Sequence, residues 1–190
     1  GEHLPCLSNA SDERVAAFMP LWGKLEPTRR RELLATLQHL GEDDATLDFH
    51  RLHLTALHDP DPATRILAVR GLWEQDREEY MRLLSDILQS DPEASVRAAA
   101  AETLGQYVVS MEFGLLSEDA KDDLSSALRE RIEDVNESEE VRATSLEALG
   151  ASSEDWVAEL IGEMYDAGSH RMRIASLRAM GRNADDQWLA

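Results

Sequence analysis

The sequence predicts an all-α fold, a right-handed solenoid of about five antiparallel helix pairs. Three observations carry this. Four segments, at 64–73, 96–105, 141–150 and 172–181, align on Arg65, Arg97, Arg142 and Arg173, which step by 32, 45 and 31 residues. Within each segment the apolar positions fall one, four and seven residues after the arginine, one stripe of an α-helix. Nowhere does the chain alternate apolar and polar residues as a strand would.

Taken in order, residues 1–10 read as an N-terminal extension. Residues 11–44 form a degenerate leading pair, with helices over 11–23 and 27–40 and Leu33 where the arginine is expected. Repeats fill 45–190. Their first helices are expected at about 45–58, 77–89, 117–135 and 153–166, and the arginine segments supply the second helices. Ser117 and Ser153, each followed by two acids, are N-cap signals favoured by the helix dipole. Asp59-Pro60 and Asp91-Pro92 suit helix starts, since Asp accepts backbone N–H bonds there and Pro is tolerated in the first turn. Gly105, Gly150 and Gly181 stand eight residues after their arginines, which suggests closure by a left-handed C′ residue. Trp73 replaces that glycine in the first segment, and Asn136 and Ala167 replace the turn aspartate in the last two. Residues 106–116 read as a longer connection. At the end, Asp185, Asp186, Trp188 and Leu189 begin a further helix that stops within two turns. A truncated last repeat predicts weak self-association through that end, or fraying there.

The Asp-Pro, hydrophobic-Arg, Ala-rich, Leu-Gly pattern resembles HEAT repeats, in particular the short bacterial class first named from phycobilin lyases. The run Leu104-Gly105-Gln106-Tyr107-Val108, the acidic helix from Ser117, Glu140-Val141-Arg142 through Gly150, and Ala179-Met180-Gly181-Arg182 are similar to uncharacterised HEAT-repeat proteins of Chloroflexi-type bacteria. The resemblance covers roughly 27–190. It implies a non-catalytic scaffold that binds a protein partner, with chromophore-lyase-like or other cofactor handling as the alternative.

Arg65, Arg97, Arg142 and Arg173 share a helix side with the apolar stripe, so each guanidinium needs a partner. Asp59 and Asp91 are the expected carboxylates, joined between adjacent repeats as a structural ladder. At about 100° per residue, the second, fifth and ninth positions after each arginine cluster opposite the stripe. They include Leu67, Arg70, Glu102, Gln106, Thr144, Glu147, Arg178 and Arg182. In a HEAT-type stack the second helices line the concave side, so these residues make a candidate groove for a peptide or partner helix.

Composition limits the alternatives. A formal charge of −19 repels nucleic acid and anionic membranes, and Arg29, Arg30 and Arg31 are too few to reverse that. Hydrophobic residues make up 43% of the chain, enough for a core, but no apolar run approaches the ~20 residues that span a bilayer. The single Cys6 supports no internal disulfide, and the first residues resemble no secretory leader, so a reducing cytoplasm, or a leader already removed, is expected. His39, His50, His53 and His58 lack metal-site framing. Deoxyhypusine hydroxylase, a HEAT enzyme, holds two irons on His-Glu pairs; no His-Glu dipeptide occurs here. Phosphate-loop, dinucleotide, esterase and paired-cysteine motifs are also missing, so no catalytic, metal or cofactor site is expected.

Overall fold

The computed structural model describes residues 4–183 and Trp188. The expectation about the chain's end falls largely on 184–187, 189 and 190, which lie outside the described residues. Two compact units are present. The first, Gly1–Gln75, holds α1 (Asp12–Trp22), α2 (Pro27–Asp43), α3 (His50–Ala56) and α4 (Pro62–Arg70). The second, Asp76–Ala190, holds α5 (Glu78–Ser90), α6 (Ala94–Glu112), α7 (Glu118–Glu133), α8 (Glu139–Leu149), α9 (Asp155–Ala167) and α10 (His170–Met180). Among the described residues there is no strand. The odd-numbered helices are the first members of five pairs and the even-numbered ones the second.

Local chemistry sets the helix starts. Ser11, Asp61, Ser117, Ser138 and Ser169 each accept a backbone N–H bond from the residue three further on, which satisfies one of the donors a helix start leaves open. Asp59 and Asp91 do not cap helices. Asp59 Oδ1 accepts from the Asp61 N–H at 3.0 Å and Asp91 Oδ1 from the Glu93 N–H at 2.9 Å, so both brace the turn between first and second helix. Asp134 does the same for the Asn136 N–H at 2.9 Å, so Asp134 fills the role that Asn136 seemed to have lost.

Three expected boundaries move. α3 begins at His50 because Asp44 ends α2 and then accepts the N–H of Thr46, turning residues 44–49 out of helix. α6 runs through Gly105 to Glu112, so most of the connection expected at 106–116 is two further helical turns that bury Tyr107, Val108 and Met111. The reversal is left to residues 113–117, where Gly114 takes φ +68°. The first residues are part of their unit, because Leu4 and Leu7 pack against Leu37, Phe49 and Leu52.

The repeat glycines are not left-handed. Gly150 and Gly181 have φ −56° and −69°, and Gly105 lies inside α6. Their reason is space. A Cβ on Gly150 would lie 2.7 Å from the Ala179 Cα, and one on Gly105 3.4 Å from the Ala148 Cα. Glycine lets the next second helix lie directly against this one. α6 packs on α8 and α8 on α10 through these notches.

Candidate functional site: second-helix arginines and the exposed columns

Every second helix carries an arginine as its fourth residue: Arg30, Arg65, Arg97, Arg142 and Arg173. The leading pair therefore has the repeat arginine after all, three residues before Leu33. Each one donates to a carbonyl in the last turn of its own first helix or in the turn that follows it. Arg30 Nε reaches the Trp22 carbonyl at 3.2 Å, Arg65 Nη1 that of Asp59 at 3.0 Å and Arg97 Nη1 that of Asp91 at 2.7 Å. Arg142 Nε reaches Ile132 at 2.9 Å and Arg173 Nε Gly168 at 3.2 Å. The last carbonyls of a helix have no intrahelical donor and sit at the negative end of its dipole, so a guanidinium placed there satisfies both. The arginine thus ties the two helices of a pair together.

Arg30 and Arg97 also reach the next pair. Arg30 Nη1 meets Asp59 Oδ2 at 2.9 Å, and the Trp22 indole N–H donates to the same oxygen at 2.9 Å. Arg97 meets Glu137 through Nε at 2.8 Å and Nη2 at 2.6 Å. The carboxylate facing Arg97 is therefore Glu137 and not that of Asp91, which offers Arg97 its carbonyl. Four residues separate Asp134 from the start of α8, where two separate Asp59 from α4 and Asp91 from α6, and the acid that faces back from this longer turn is Glu137. Burial pushes the Glu137 carboxyl up, but hydrogen bonds from Arg97 and the Ser138 N–H, with the charges of Arg97 and Arg131, outweigh it and hold the group below the ordinary glutamate value.

The outward columns are narrower than helical arithmetic suggests. Arg70, Glu102, Arg178 and Arg182 are exposed, whereas Leu67, Gln106, Thr144 and Glu147 are half-buried. Ala99 and Ala175, which share the column of Leu67 and Thr144, are buried, so that column is the floor of the face. In the second unit the charges are linked across helices: Glu147 Oε1 meets Arg178 Nη1 at 2.9 Å, and the Glu147 carbonyl accepts from Arg182 at 3.1 Å.

The histidines separate by environment. His50 Nδ1 lies 2.6 Å from the Asp48 carboxylate. His53 is buried, its ring flat on Gly71, and its Nδ1 has no partner. Burial drives its pKa down to about 4 against a raising contribution from its hydrogen bond to the Leu67 carbonyl. Both line a shallow recess with Leu37, Phe49 and Trp73. Among the described residues no three His, Cys, Asp or Glu side chains are grouped to hold a metal, and no helix is long and apolar enough to cross a membrane.

The family model for HEAT repeats matches residues 51–136. No curated protein matches the sequence. Among solved structures, the chain is similar to one in the complex of CpcE and CpcF of phycocyanin lyase from Nostoc sp. PCC7120, with a TM-score of 0.58 and 21% identity over 94% of this chain and 98% of that one. At that identity the likeness concerns the fold. Residues 51–136 are thus similar to HEAT repeats, and the chain carries the α-solenoid fold in which such repeats stack.

Proposed function

We propose that the chain is a non-catalytic HEAT-repeat scaffold that holds a protein partner along the exposed columns of its second helices, the concave side of a HEAT-type stack. One observation carries the reading. α6, α8 and α10 lie side by side with small residues, Ala99, Thr144 and Ala175, as a floor beneath the charged row Glu102, Glu147 and Arg178. A small-residue floor with charges of both signs beside it suits a peptide or helix that carries its own charges. That the similar solved structure is a complex of two proteins supports a partner-binding role. The cytoplasm, where a lone thiol stays reduced, is the compartment in which this reading places it.

The test is the double variant Glu102→Arg with Glu147→Arg. Capture of partners from the host lysate should be lost while the helical circular dichroism stays unchanged, since Glu102 is exposed and a surface ion pair such as Glu147 with Arg178 contributes about 1 kcal/mol or less. Retained capture would move the interface to another face.

The second reading, handling of a bilin chromophore, is favoured by the likeness to a phycocyanin lyase chain together with the recess of Asp48, His50, His53 and Trp73. A change in the absorbance spectrum of a free phycobilin on mixing with the chain, removed by His50→Ala, would put it first.

A further inference from the structure

At each internal step of the second unit, a second helix offers three features and the next pair fills them. Its stripe is covered: Ala98, Ala101 and Leu104 on α6, and Ala143, Leu146 and Leu149 on α8, are all buried. Its glycine, Gly105 or Gly150, receives the backbone of Ala148 or Ala179. Its arginine, in the case of Arg97, faces a carboxylate in the next turn.

Among the described residues nothing fills the same three features of α10. Ile174 and Leu177 are 39% and 54% exposed. A Cβ on Gly181 would meet only the carbonyls of its own last turn, those of Arg178 and Leu177. Arg173 is exposed and, among the described residues, faces no carboxylate; its one bond is to the Gly168 carbonyl. What fits is a helix pair with a small residue for the Gly181 notch, apolar side chains for the stripe and an acid in its turn.

The first pair of this chain has those parts. Glu26 stands in the α1–α2 turn, exposed and unpaired among the described residues. Leu21 is exposed on α1, with Ala17 beside it. Thr36 follows Arg30 by the same six residues that separate Ala148 from Arg142 and Ala179 from Arg173, and it too is exposed.

The geometry points to a second copy of this chain as the occupant: α1–α2 of one copy stacks on α10 of another, with Glu26 facing Arg173. The contact is heterologous, using different surfaces on the two copies. It extends the reading of the chain as a protein-binding scaffold, on a face separate from Glu102 and Glu147. At physiological ionic strength, charges more than about 8 Å apart are largely screened, so the net charge does not forbid it.

Sedimentation velocity over a concentration series of the full chain tests this. The parent should associate as concentration rises. Leu177→Asp and Arg173→Glu should each weaken association by about tenfold, equivalent to roughly 1.4 kcal/mol. Mixing the Arg173→Glu chain with the Glu26→Arg chain should restore it, which excludes misfolding as the cause of the loss. A parent that stays monomeric throughout, or association that Arg173→Glu and Leu177→Asp leave unchanged, overturns the proposal. Glu102→Arg with Glu147→Arg should leave self-association intact, so failure of this contact and failure of the partner groove are read separately.

Discussion

Arg97 and Glu137 lie forty residues apart and meet through two parallel hydrogen bonds of 2.8 and 2.6 Å, with only 3% of the Glu137 side chain exposed. Two-pronged geometry fixes direction as well as distance, so the pair sets how the turn before α8 seats on the start of α6. Because Arg97 also holds the Asp91 carbonyl, one side chain joins α5, α6 and the next pair.

Removing that arginine leaves a buried carboxylate with only the Ser138 N–H at 2.6 Å and Arg131 at 4.0 Å to hold its charge. Arg97→Ala should therefore lower stability by about 3–5 kcal/mol, the usual cost of breaking a buried pair from one side. Chemical denaturation checks it; a loss below about 1 kcal/mol would mean that water replaces the guanidinium.

The same pair has a pH signature. The Glu137 pKa is lowered on folding from the ordinary 4.5, so its contribution is fully present above that value and fades as pH falls through the lower folded value. In the Arg97→Ala chain the buried Glu137 has lost its strongest partner, so protonation costs it less than in the parent. The stability gap between the two chains should narrow on acidification below about pH 4.5. A gap that stays constant from neutral pH to pH 3 would assign the loss to packing.

His53 works in a different window. Its pKa falls from 6.5 unfolded to about 4 folded, so between these values the unfolded chain binds the extra proton and stability falls as pH falls. That difference corresponds to about 3 kcal/mol. His53→Gln should flatten the stability curve between pH 6.5 and 4 relative to the parent, measured by denaturant titration at each pH.

Gly150 and Gly181 make a matched test of the packing notch, since both have right-handed φ. Gly150→Ala drives a methyl into the Ala179 backbone and should cost about 1–3 kcal/mol through overpacking. Gly181→Ala meets only the carbonyls of Arg178 and Leu177 at ordinary contact distance and should be neutral or stabilise by up to about 1 kcal/mol. Equal effects at the two sites would remove the notch as the reason for glycine.

The repeat arginine and its periodic neighbours were legible because both consequences are local: an apolar stripe at helical spacing makes a helix, and an arginine beside that stripe must be satisfied. Arg30 is hidden in the sequence because a step of 32 residues back from Arg65 falls on Leu33, and because Arg30 sits inside the run Arg29-Arg30-Arg31. Its position as fourth residue after a turn was the available signal. Glycine was misread for a related reason. Gly at a helix end has two explanations, a left-handed cap and a close approach, and only the second needs a neighbour that one segment's sequence does not contain.

The sequence by itself determined the ten α-helices of the described residues, their pairing and the charge, because periodicity, caps and turn residues act within a few residues of one another. Tertiary structure alone decided which carboxylates Arg30 and Arg97 meet. Asp91 and Glu137 are both acids near helix starts, and choosing between them takes the position of one turn against the preceding helix to within an ångström. That position depends on the length of the turn, on the glycine notch beneath it and on side chains forty residues away.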